Sequence, residues 1–309
     1  MKVFSRLALT LFLWAIAAGP MLAQQSDQVV SVAPDADFGD TLAGLGALGD
    51  EVSWLVTRGD EELTSMAASH PMAVNSAFKL GILSVLAREV KSGRTDWDRV
   101  LRLGEAQRSL PSGRLQDFPD EAPVTLHTAA LLMIAESDNT ATDLLLDLLG
   151  REAVAEELGV TPDAMLSTRE FFALRADPAI RQAWLDALPE DRPAIAAEAA
   201  ALPPDPAAAT GPAVPGVDWY VPLDRLCALI LPVADLPMLQ INPGPAEGMG
   251  PAAYKGGSEP GVLNFTVALS DAQDRPLCVA LTVNDPGAID EQAATAAFRA
   301  LLARAMAQP

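Results

Sequence analysis

The chain carries seventeen arginines but only four lysines, at positions 2, 79, 91 and 255. Arginine keeps its proton in any protein setting, whereas a desolvated lysine can approach neutrality and take a proton from a nucleophile. Ser76 stands three residues before Lys79, at the head of a run, Asn75–Val90, whose apolar spacing predicts a helix. Residues three apart share one helix face, so hydroxyl and amine can approach each other as a serine–lysine nucleophile. The positive end of the helix would lower the proton affinity of both groups. An isolated Ser-x-x-Lys pair has a plain alternative, two solvent-facing side chains on an amphipathic helix, and the pair alone does not choose.

Two further segments change the choice. Ser137-Asp138-Asn139 lies between two apolar helical runs, where a loop can aim short polar groups into a cleft; alone it reads as a helix cap. Lys255-Gly256-Gly257-Ser258 precedes a strand starting near Gly261, and its glycines would let a ligand approach the backbone closely; alone it reads as a turn. In this order the three segments match the S-x-x-K, S-D-N and K-[TS]-G signatures of penicillin-interacting serine enzymes, the third in a variant form. The chain therefore resembles class A β-lactamases and their relatives. The likeness runs from about Glu51 to Ala305 and is densest over Met133–Asp147 and Tyr254–Val262.

The resemblance implies an acyl-enzyme. Ser76 would attack a lactam, amide or ester carbonyl with Lys79 as its base. Ser137 would relay a proton to the leaving nitrogen, and Lys255 would hold that hydroxyl and attract a substrate carboxylate. Asn139 would bind the substrate's side-chain amide, beside Gly257 and Ser258 on the third motif. The N–H groups of Ser76 and Ser258 would form the oxyanion hole, and Asp138 would brace its loop. The expected activity is that of a β-lactam-opening hydrolase, with antibiotic resistance as its setting. Two departures stand against a direct transfer. Gly256 lacks the hydroxyl that usually follows the motif lysine, which predicts a weaker carboxylate grip. The segment Gly150–Ser167 is too short for the loop whose glutamate activates the deacylating water. Glu170 is the nearest acid, and Ser167-Thr168-Arg169-Glu170 reads better as a helix cap. A D,D-peptidase or esterase acting on cell-wall fragments, or a binding protein that does not turn over, therefore stays open.

The elements that must position these groups follow from patterning. Glu51–Arg58 alternates as a strand; Gly261–Ser270 and Pro276–Asn284 read as a hairpin; residues 288–306 are helical. Helical patterns fill the middle, at Asn75–Val90, Thr125–Ala135, Thr140–Leu149, Glu152–Leu158, Arg169–Leu174 and Leu223–Leu231. The expected fold is α/β: an antiparallel sheet from both chain ends, about 38–74 and 216–309, flanked by helices and holding an all-helical subdomain at about 75–215. The run Pro203–Pro215 resists helix and is drawn as a surface loop, a plain connector or a mobile edge of the cleft.

Lys2 and Arg6 before the apolar run Leu7–Ala18 predict a secretory signal cleaved near Ala23, leaving one catalytic domain over 24–309 in the periplasm or medium. The run is too short to span a membrane. With 21 basic against 41 acidic residues, net −20, nucleic acid is not an expected partner. Two histidines and two cysteines at no ligand spacing predict no metal and no cofactor. The expected partner is a small β-lactam or peptidoglycan-derived substrate, bound by a monomer. His70 and His127 read as packing residues, and Cys227 and Cys278 as either a disulfide or two buried thiols.

Overall fold

A computed structural model describes residues 38–109, 111–202 and 211–307. The expected signal segment and residues 203–210 of the proline-rich run lie outside the described residues. Five antiparallel strands form the main sheet: β1 (Glu51–Arg58), β2 (Glu61–Met66), β3 (Ala252–Glu259), β4 (Val262–Ser270) and β5 (Pro276–Asn284), in the order β2-β1-β5-β4-β3. This is the mixed α/β architecture with strands from both chain ends that patterning predicts.

Period-two alternation divides the central strands between two cores. Leu277, Val279, Leu281 and Val283 of β5 pack with Phe265, Phe298 and Leu301 under the C-terminal helix Glu291–Ala307. Cys278 and Ala280, on the opposite face, join Ala253 and Ala268 beneath the helices. Small residues there let the helix Leu223–Ile230 approach closely, and Cys227 of that helix is disulfide-bonded to Cys278, with Cα atoms 5.7 Å apart. The two cysteines are therefore a disulfide.

Four helices matter for the site: α1 (Lys79–Lys91), α2 (Leu126–Ala135), α3 (Asn139–Leu149) and α4 (Thr168–Ala176). Their starts are written locally, since a side-chain oxygen at the cap satisfies an otherwise orphaned N–H. Thr125 caps α2, Asp138 caps α3 through Ala141 N at 2.9 Å, and Ser167 caps α4.

Two local expectations are corrected. Residues 75–78 form a 3-10 turn and α1 begins only at Lys79. Three residues per turn eclipses Ser76 on Lys79 more closely than an α-helix would. The Lys255–Ser258 segment is no turn but the middle of β3, with Lys255 paired to Thr266 and Gly257 to Asn264. The sheet neighbour β4 supplies the ladder that overrides two glycines' weak strand preference.

Candidate active site

A cleft of about 470 Å³ opens between β3, the Ser76 turn and the α2–α3 loop. Gly257 makes the junction possible: a Cβ there would fall 2.5 Å from Ser76 N and still closer to Val74 O. Only a glycine lets the strand lie against the turn that presents Ser76.

Lys79 is fully buried. Its Nζ lies 2.7 Å from Ser137 O, 2.8 Å from Asn139 Oδ1 and 3.1 Å from Ser137 Oγ. Burial, and then the charge of Lys255, hold its amine well below the usual lysine range. A neutral amine has two hydrogens and one lone pair, and the two carbonyl oxygens account for the hydrogens. Lys255 Nζ donates to Gly256 O at 2.6 Å and approaches Ser137 Oγ to 3.2 Å; burial brings its pKa down to about 7. The Ser137 hydroxyl thus stands between two amines, able to accept a proton from one and donate to the other.

Ser137 is held there with φ at 56°, a strained value for a serine. The Asp138 carboxylate accepts from Arg114 N and Leu115 N at 2.8 Å and caps α3, so it braces the loop. Ser112 Oγ donates to Ser137 O at 2.7 Å. Asn139, Gly257 and Ser258 line the cleft with Ser76, Ser137 and Lys255. The structure therefore brings the lysines, Ser137 and Asn139 into direct contact and places Ser76 on the same cleft. No hydrogen bond joins Ser76 Oγ to Lys79 Nζ, whose hydrogens point to the α2–α3 loop.

Glu170 is a cap. Its Oε2 accepts from Ser167 N at 2.8 Å, and Arg151 grips both oxygens at 2.6 and 2.9 Å. Thr168, rather than an acid, faces the cleft from the start of α4. Thr168 N and Arg169 N donate to the two oxygens of Asp143 at 2.7 and 2.9 Å; burial lifts the Asp143 pKa to about 7 despite those bonds.

Patterning missed four residues at or beneath the cleft: Ser112, Thr168, Tyr254 and Glu259. The Tyr254 hydroxyl fills the space that a Gly256 side chain would need. Glu259 follows Lys255 and Gly257 at period two on β3, a placement visible in sequence only if the segment is read as strand. Among the cleft residues, Trp219 Nε1 and Glu259 Oε2 are buried without a hydrogen-bond partner, and the Asn75 side chain bonds to the Glu259 carboxyl. Among the described residues, no group of histidines, cysteines and carboxylates could hold a metal ion, and no helix is long and apolar enough to cross a membrane.

Comparison with known proteins agrees with this fold. Residues 43–177 match the model of the Beta-lactamase enzyme family. No curated protein matches the sequence. Among solved structures, a β-lactamase from Sphaerobacter thermophilus is 22% identical with a TM-score of 0.63, covering 89% of this chain and 100% of its own. A β-lactamase from Burkholderia phymatum is 18% identical, TM-score 0.58, over 86% of this chain and 97% of its own. A mutant of PBP-A, solved as an acyl-enzyme with penicillin G, is 16% identical, TM-score 0.58, over 87% and 97%. At these identities the structures establish the fold. The chain therefore has the β-lactamase fold, and its residues 43–177 are similar to the Beta-lactamase enzyme family, in line with the resemblance its motifs carry.

Proposed function

We propose that this chain is an exported serine hydrolase that forms an acyl-enzyme at Ser76 and opens β-lactams or related amides. The observation that carries the reading is the buried Lys79 amine, bonded to Ser137 and Asn139, with Lys255 on the far side of the same Ser137 hydroxyl.

Ser76 Oγ attacks the carbonyl carbon as its proton passes to the lone pair of Lys79, and the developing oxyanion is met by the N–H groups of Ser76 and Ser258. Collapse breaks the C–N bond. The departing nitrogen takes a proton from Ser137 Oγ, which is replenished from Lys79 or Lys255. Lys255 also draws an anionic substrate group toward that end of the cleft. Asn139, whose Oδ1 accepts from Lys79, lines the cleft where a substrate's side-chain amide would bind.

The test is intact-mass measurement after penicillin G, run beside a chromogenic cephalosporin assay. Expected are a penicillin-sized adduct on Ser76 or turnover, both abolished in Ser76→Ala; an active Ser76→Ala protein would end the reading. A mature N-terminus near Gln24 in the exported fraction checks the leader. Thr168 at the cleft wall, with Glu170 committed to its cap, favours a second reading: a D,D-peptidase or esterase on cell-wall peptides, or a binding protein that keeps its adduct. A lasting adduct with no hydrolysis selects the binder, and turnover of D-Ala-D-Ala peptides or esters instead of lactams selects the peptidase.

A further inference from the structure

The cleft also holds buried polar groups that the acylation step does not use. Asn75, immediately before the nucleophile, has its buried side-chain amide bonded to the Glu259 carboxyl. Trp219, stacked on Phe78 with ring centroids 3.9 Å apart, has a buried Nε1 with no acceptor. Glu259 has a buried Oε2 with no donor. All three residues line the same cleft as Ser76. Buried polar atoms without partners are rare in folded proteins, and such groups concentrate at functional sites. Trp219 Nε1 can donate to a water that itself donates to Glu259 Oε2, which leaves the water's second lone pair for an acyl carbon.

We propose that Glu259, held beside the nucleophile by Asn75, is the general base of deacylation and positions the hydrolytic water with Trp219 in place of the loop glutamate that this chain lacks. The inference rests on the acyl-enzyme reading above. β3 carries Glu259 to the site: Gly257 lies against Ser76 N, and Glu259 emerges two residues later on the same strand face. The step balances without a further reactant. The water's proton passes to Glu259 as its oxygen bonds to the acyl carbon; the ester C–O bond to Ser76 then breaks, and the serine oxygen takes a proton from Glu259 or Lys79. The products are a carboxylic acid and free Ser76.

The surroundings of the carboxyl suit a base. Burial lifts the Glu259 pKa to about 7, with Asp218 raising it further and Arg175, Asn75 and Lys79 opposing. Arg175 is largely committed to Asp218 at 2.8 Å and to Gly211 O at 2.6 Å. A carboxylate that is half ionised near neutrality is matched to proton abstraction from water.

The experiment follows the penicillin G adduct by intact mass in the wild type and in Glu259→Gln, after excess penicillin is removed, from pH 5 to 9. Expected is adduct formation on Ser76 in both, with decay slowed roughly 10²-fold or more in the variant. Wild-type decay should rise with pH and level off above about 7. Trp219→Phe, which keeps the stacking ring and removes the donor, should slow decay by a smaller factor. If Glu259→Gln does not fold, the wild-type pH profile and Trp219→Phe decide. Decay at the wild-type rate in the Gln variant, a flat wild-type profile, or a wild-type adduct that never decays would each overturn the role of Glu259 and leave Ser76 acylation standing. Absence of both adduct and hydrolysis in the wild type would remove the acyl-enzyme reading itself.

Discussion

Glu170 and Glu259 are the same side chain in opposite circumstances. At the head of α4, Glu170 has its oxygens taken by Arg151 and Ser167 N and completes a capping box. At the end of β3, Glu259 is desolvated and has one oxygen with no donor. A carboxylate whose lone pairs are filled by local partners contributes stability and is unavailable for chemistry. One left unsatisfied beside a nucleophile costs stability and is free to act, and such perturbed groups concentrate at functional sites. Proximity to a motif in the chain, which singles out Glu170, is therefore a poorer guide than the hydrogen-bond account of each carboxyl.

The comparison can be broken most severely at the nucleophile both acids would serve. Lys79→Arg keeps a cation but removes any accessible neutral form, and acylation by penicillin G should fall by roughly 10³-fold or more; acylation within tenfold of wild type by mass spectrometry would show that Lys79 is no base. Next comes Glu170→Gln. It opens the Arg151 pair and half of the capping box, so about 1–2 kcal/mol of stability should be lost in urea unfolding. Acylation and deacylation should stay within a factor of a few. A collapse of deacylation there would mean that the two glutamates have been assigned the wrong way round.

The smallest effect is on stability at Glu259. Its folded pKa lies above its ordinary value of 4.5, so between there and about 7 the native state holds more proton than the unfolded chain, and stability falls as pH rises. Above about 7 the whole cost of the buried charge is present; at pH 4 none of it is. Glu259→Gln should therefore unfold at a higher temperature than wild type at pH 8, with the gain vanishing toward pH 4. A loss at pH 8 would mean that the carboxylate is satisfied in solution.

The sequence made the helical half of the site legible because each helix announces itself with a cap next to the reactive residues. Asp138 both belongs to a signature and starts α3; Ser167 and Glu170 form a recognisable box. Helical spacing also located Ser76 relative to Lys79, though not the 3-10 turn that carries it. The strand half was obscure. Gly256 and Gly257 erase the alternation by which Lys255–Glu259 would be read as β3, and with it the rule that puts Glu259 on the face of Lys255. The strand Glu61–Met66 escaped for a related reason: it is a largely exposed edge with little apolar periodicity.

From its order of residues alone this chain determined its motifs, its side-chain-capped helix starts at the site, its acidity and the pattern of strands at both ends, because those depend on neighbours within a turn or two. Only the tertiary structure decided which groups are charged and which are satisfied. Lys79 and Lys255 lose their usual proton affinity because distant segments close over them, Cys227 meets Cys278 because a helix packs on small residues of the sheet, and Glu259 is buried beside the Ser76 turn because a glycine lets β3 touch that turn. Desolvation is a property of the assembled interior, and no local spacing encodes it.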